Sequence, residues 1–175
     1  MNGQGKLLTH YLKNADKLII PVYQRNYDWR EEHCRKLYQD LVRTIRDRKR
    51  WHFFGGIVSV SDPMGSSSDY LVIDGQQRIT TVSLLLLAMA NLIKEGKVIP
   101  EDDDLYAQIT KKYLVDEINP RKRKVKLKPI KGDHTIVSGG IRPILTVHQI
   151  SLKTISFSTM RFRNRLLLSI SFIKR

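Results

Sequence analysis

The part of this chain that most limits its fold is Tyr70-Leu71-Val72-Ile73-Asp74-Gly75-Gln76-Gln77-Arg78 and the apolar run behind it. Tyr70 to Ile73 reads as a strand rich in branched and aromatic side chains. Gly75 then permits a tight turn or a positive φ. Residues 76–94 are apolar almost all round, which predicts a helix buried against a sheet. The uncharged stretch 79–93 is shorter than the roughly 20 residues a membrane span needs. Thr80, Thr81, Ser83 and Asn91 also interrupt it.

Such a corner has chemistry of its own. A helix start leaves backbone N–H groups unpaired and carries partial positive charge, which suits an anion. Arg78 adds a guanidinium able to grip phosphate oxygens in pairs, although a cation there opposes the helix dipole. Gln76 and Gln77 offer neutral donors and acceptors, and Asp74 could hold a metal ion or position a water. Alternatively, Asp74 simply caps the helix and Arg78 pairs with a carboxylate.

A second polar cluster lies upstream. Ile20-Pro21-Val22-Tyr23-Gln24-Arg25-Asn26-Tyr27-Asp28-Trp29 sets aromatics, a glutamine and an arginine between a brief strand at 17–20 and a helix. Loops placed by a rigid scaffold commonly carry binding groups. Arg25 is expected to meet a phosphate or Asp74, Tyr23 and Tyr27 to offer faces for a base, and Trp29 to anchor the helix start in the core.

The remaining elements follow from periodicity. Residues 5–14 suit a short helix. Cys34, Leu37, Tyr38, Leu41, Val42 and Ile45 repeat at helical spacing, so 29–48 should be an amphipathic helix capped by Asp28. Residues 53–60 and 70–73 read as a β-hairpin, with Gly55-Gly56 marking a bulge or close backbone approach. Residues 102–116 form a weaker helix candidate. Val125 and Leu127 alternate with Lys124, Lys126 and Lys128, which predicts a strand with one wet, positive face. The fold class is therefore α+β, a small mixed sheet flanked by helices.

Composition narrows the function. The chain has 175 residues, 41% of them hydrophobic and 27% charged, which fits one globular domain and excludes low-complexity classes. A single cysteine excludes an internal disulfide framework and any multi-cysteine zinc site, and fits a reducing compartment. No secretory signal is visible at the start, so a cytoplasmic location without membrane contact is expected. The formal charge of +14 points to polyanionic partners, and DNA is the expected one. No acidic residue follows Asp133, so part of that surplus belongs to residues 134–175 alone. Arg121, Lys122, Arg123 and Lys124 could touch a DNA backbone or form a solvated loop.

Three blocks together, 20–29, Phe54-Gly55-Gly56-Ile57-Val58 and 72–81, resemble the signature segments of the N-terminal domain of GmrSD-type restriction endonucleases. Lys126-Leu127-Lys128-Pro129-Ile130 resembles a later block of that family, which is distantly similar to ParB and sulfiredoxin folds. The resemblance covers about residues 1–133 and implies a domain that binds and hydrolyses nucleoside triphosphates with a divalent metal such as Mg2+. It implies a nucleotide site at Gln24, Arg25, Gly75, Gln76, Gln77, Arg78 and Thr80, with Asp74. Assigning Asp74 to the metal or the attacking water, as catalytic group, goes beyond the motif. Relatives continue into an HNH-type nuclease, which needs clustered histidines. His10, His33, His52, His134 and His148 are dispersed, so nuclease activity is expected of a separate subunit. Residues 134–175 depart from the family's pattern, and a truncation or frame change near 134–140 is expected. The expected role is a nucleotide-binding sensor in a DNA-restriction or phage-defence system. The alternatives are a non-enzymatic DNA-binding module and an inactive remnant.

Overall fold

The apolar run behind Arg78 forms the long helix its composition requires, and the other elements pack around it. A computed structural model describes residues 8–49, 51–66, 68–116 and 124–128. In chain order these form α1 (Leu8–Asn14), β1 (Lys17–Ile19), α2 (Glu31–Arg46), β2 (Val58–Ser61), β3 (Asp69–Asp74) and α3 (Gln76–Lys94). There follow α4 (Leu105–Ala107), a π-helical segment (Gln108–Leu114), β4 (Val115–Asp116), β5 (Lys124–Val125) and β6 (Leu127–Lys128).

Four strands form one sheet in the order β2-β3-β1-β6, and β4 pairs with β5 separately. Strand β1 runs parallel to both β3 and β6, whereas β2 is antiparallel to β3. This is an α+β fold with a small mixed sheet, consistent with the ParB/sulfiredoxin-like expectation. The register places the loops. Leu18 lies opposite Tyr70 and Ile19 opposite Leu71, so β1 and β3 leave the sheet at the same end. Strand β2 enters at that end, with Val58 opposite Asp74.

Helix α3 buries Ile79, Val82, Leu86 and Ala90 against Leu18 and Val72 of the sheet, Leu37 and Leu41 of α2, and Leu105, Ile109 and Leu114. Each valine, leucine or isoleucine among them contributes about 1.5–3 kcal/mol when fully buried. Helix α2 buries Leu37 and Leu41 of the stripe its spacing predicts, together with Thr44, which that stripe did not include. Cys34, Tyr38, Val42 and Ile45 are half-buried, and Trp29 packs against the core as expected. No helix among the described residues is long and apolar enough to cross a membrane.

Four local expectations are revised. The N-cap of α2 is Arg30, whose N–H donates to His33 Nδ1 at 3.1 Å, while the Asp28 N–H points instead to α3. Strand β2 begins at Val58 and not at Phe53, because Gly55 at φ +92° turns the chain out of the extended conformation. The weak helix at 102–116 is a single α-turn that widens into the π-helical segment. The basic strand at 121–128 is broken at Lys126, with β5 joining β4 and β6 joining β1. Its alternation is inverted there. Lys126 is 7% exposed and Val125 is 36% exposed, because the lysine amine turns inward to backbone carbonyls. Arg121, Lys122, Arg123 and residues 134–175 lie outside the described residues, and Lys124 is placed in β5.

Candidate functional site

The three sequence blocks meet because the strands that deliver them share one end of the sheet. In open sheets, ligands commonly bind outside the carboxyl ends of parallel strands. Here β1 leads into residues 21–30, β3 leads into Asp74 and Gly75, and residues 51–57 approach β2 from the same side.

Gly75 is the corner itself. It caps α3 at φ +91° and ψ 9°, a conformation that side chains other than glycine adopt only with strain. A β-carbon there would lie 2.9 Å from Ile57 Cγ1 and 3.2 Å from both Gly56 O and Ile57 Cα. The amide of Ile79 closes the first turn on the Gly75 carbonyl at 3.0 Å. Asp74 ends β3 with its side chain exposed, and its carboxylate makes no hydrogen bond or ion pair among the described residues.

Arg78 lies across the glycine pair. Its Nη1 donates to the Gly56 carbonyl, and a β-carbon on Gly55 would stand 3.2 Å from its Nε and Cζ. The close backbone approach expected at Gly55-Gly56 is therefore the cradle of this guanidinium. Arg78 pairs with no carboxylate among the described residues, and its remaining N–H groups are not used by any of them. The alternative of a carboxylate-paired Arg78 is thus not what the structure contains. Arg25 is exposed and likewise makes no ion pair among the described residues.

The glutamines are placed differently from the arginines. Gln76 and Gln77 are 6% and 7% exposed. Gln76 Nε2 donates to Arg25 O at 2.7 Å, and Gln77 Nε2 donates to Asn26 O at 2.9 Å. Gln77 Oε1 accepts the Asp28 N–H at 2.9 Å, and Gln24 Nε2 donates to Ile73 O at 2.8 Å. Thr80 is half-buried with no side-chain hydrogen bond among the described residues. Its neighbour Thr81, not singled out from the sequence, bonds the Tyr27 hydroxyl at 2.9 Å and donates to Gln77 O at 2.8 Å. Burial, and then the Cys34 thiol 3.4 Å away, push the Tyr27 hydroxyl well above its ordinary range, so it stays neutral and able to donate. Tyr23 is 74% exposed beside this loop.

No group of three or more His, Cys, Asp or Glu among the described residues could hold a metal ion. A lone exposed Asp74 does not build a protein cage, but it fits a magnesium ion that arrives on phosphate oxygens and takes one or two carboxylates.

The two glycines separate fold from site. Gly75→Ala is expected to cost about 1–2 kcal/mol of backbone strain, plus the push against fixed backbone at Gly56 and Ile57. Gly55→Ala meets only a flexible guanidinium, so beyond the same strain its effect falls on Arg78. Urea unfolding should therefore rank Gly75→Ala as the more destabilised, and equal midpoints would contradict the packing described.

Fold and site together define a small α+β domain whose loops converge at one sheet end, with two arginines that have no carboxylate partner among the described residues. The chain belongs to the family described as the GmrSD restriction endonuclease, N-terminal domain, whose model matches residues 6–170. That match takes in residues 134–170 of the acid-free segment as well as the three blocks. Membership associates the protein with restriction and phage-defence systems. A comparison with curated proteins finds no match.

Proposed function

We propose that the domain binds a nucleoside triphosphate at the start of α3 and serves as the nucleotide-responsive part of a restriction system. The observation that carries this is Arg78, held over Gly55 by the Gly56 carbonyl and without a carboxylate partner among the described residues. A cation in the first helical turn opposes the dipole. A structural arginine would be expected to have an acid beside it, and this one has none among the described residues. Arg25 supplies a second cation at the same sheet end, and Asp74 would hold a magnesium ion travelling with the phosphates. That ion would neutralise phosphate charge and favour attack by water. The residues themselves orient the phosphates through Arg78 and Arg25. Hydrolysis, a cytoplasmic location, DNA as the polyanion sensed and a separate nuclease subunit as partner are parts of the same proposal.

Titrating the protein with the four common triphosphates, with and without magnesium, tests it. Arg78→Ala removes a charge-assisted contact of about 1.5–3 kcal/mol, which is roughly 10- to 100-fold in affinity. Undiminished affinity in a folded Arg78→Ala protein would remove the site assignment.

The +14 charge favours a second reading, a DNA-binding module that needs no nucleotide. It predicts DNA affinity that falls steeply with salt and is indifferent to Arg78→Ala and to added triphosphate.

A further inference from the structure

We infer that Gln76 and Gln77 serve the nucleotide without touching it, as positioning residues that latch residues 21–30 onto α3 and thereby present Arg25. The inference rests on the nucleotide reading for its consequence and on the hydrogen bonds alone for its geometry.

Residues 21–30 contain no helix or strand, and Gln24 N to Pro21 O at 3.0 Å is the one backbone hydrogen bond described within them. A segment of this kind has many conformations of similar energy unless something outside it decides. Here the deciding groups are side chains from α3. Gln76 takes the carbonyl of Arg25, Gln77 takes the carbonyl of Asn26 and the amide of Asp28, and Thr81 takes the hydroxyl of Tyr27. Gln24 reaches the other way, to β3 just before Asp74, through Ile73 O. Residues 24 to 28 are thus each fixed by at least one contact to β3 or α3, while the Arg25 side chain itself stays exposed.

Burial argues against the simpler role. Both glutamines are under a tenth exposed, and Gln77 already uses its donor and its acceptor end. A ligand arriving from solvent would have to displace the loop to reach them. The arginines show the reverse pattern, exposed or half-buried with donors unspent among the described residues. The motif therefore divides into one part that grips and one part that aims the grip.

A double-mutant cycle on the full chain decides this. Magnesium complexes of the four common triphosphates are titrated against the unaltered protein, Gln77→Leu, Arg25→Ala and the double variant. The expected result is a loss of about tenfold for Gln77→Leu alone and no further loss when it is added to Arg25→Ala. Losses that multiply would mean that Gln77 meets the ligand directly, and would overturn the assignment. Hydrogen exchange without nucleotide supplies the second readout. Gln77→Leu should expose the Asp28 amide while α3 amides stay protected, and Gln77→Glu, which keeps the acceptor, should leave Asp28 protected. An Asp28 amide equally protected in all three proteins overturns the latch. Should no triphosphate bind the unaltered chain, the nucleotide reading fails by itself, and the exchange result still judges the latch.

Discussion

Lys126→Met is expected to lower the unfolding free energy by about 3 kcal/mol or more, an outsized effect for a residue within a run of surface-type lysines. The side chain is 7% exposed, and its Nζ donates to Leu12 O at 3.2 Å, Lys13 O at 3.0 Å and Lys112 O at 3.0 Å. Leu12 and Lys13 close α1, and Lys112 lies in the last turn of the π-helical segment. The final carbonyls of a helix have no partner within it and carry partial negative charge, so one ammonium group serves two helix ends at once. Methionine fills a similar volume and removes every donor. Each buried carbonyl left unpaired costs about 1–3 kcal/mol. Lys126→Arg keeps the charge and donors and should lose less. Urea denaturation at neutral pH measures all three proteins. A methionine variant within about 1 kcal/mol of the unaltered protein would mean that the amine bridges nothing of consequence, as can occur when a buried charge is replaced by a well-packed apolar group.

Lys17→Met should cost a comparable amount, and its cost should shrink in acid. Asp69 is 1% exposed, and Lys17 Nζ forms an ion pair with its Oδ2. The Ser66 amide reaches Oδ2 at 3.3 Å and the Ser66 hydroxyl reaches Oδ1 at 3.2 Å. Burial by itself pushes the Asp69 carboxyl up, but the bond from Lys17, the Ser66 amide and the lysine charge outweigh it and hold the carboxyl below its ordinary value of 3.8. A carboxyl lowered on folding stabilises the protein above its unfolded value, and that contribution is lost as pH falls through the lower folded value. Without Lys17 only the two Ser66 bonds oppose burial, so the carboxyl rises relative to the unaltered protein and the stability it contributes at neutral pH shrinks. Breaking a buried pair costs about 3–5 kcal/mol, and the two Ser66 donors place this case toward the lower end. Unfolding curves at pH 7 and at pH 3 should show a wide gap between the two proteins that begins to narrow below the ordinary carboxyl value of 3.8. A gap independent of pH would show that the loss comes from packing and not from charge.

Neither residue could have been chosen from the sequence. Lys126 sits in perfect alternation with Val125 and Leu127, and alternation assigns faces only while a strand stays unbroken. Here the chain bends at Lys126 and changes partner sheets, which puts the lysine inside. Asp69 follows a serine-rich turn and resembles any loop acid. Its burial arises because β3 pairs with β1 and brings Lys17 beside it. Helix α3 was legible in full and the α2 stripe at Leu37 and Leu41, since one-sided or all-round apolar patterns leave a helix few other places to go. The α2 cap was not: the helix begins at Glu31 with Arg30 before it, and Gln77, distant in sequence, holds the Asp28 amide in the preceding loop.

Within the site, Gly75 was readable as a corner and the Gly55-Gly56 pair as a close approach, for both follow from what a missing β-carbon allows. Which groups around them remain open was not readable. Gln76, Gln77 and Arg78 are consecutive and all polar, yet two are turned inward to carry a loop and the third lies over a glycine with donors that no described residue uses. The amino-acid order by itself determined the elements, the turn and the basic character, because these depend on neighbours along the chain. Only the tertiary structure decided which polar groups are already satisfied, because their partners arrive from β1, β3 and α3 after the chain has closed on itself.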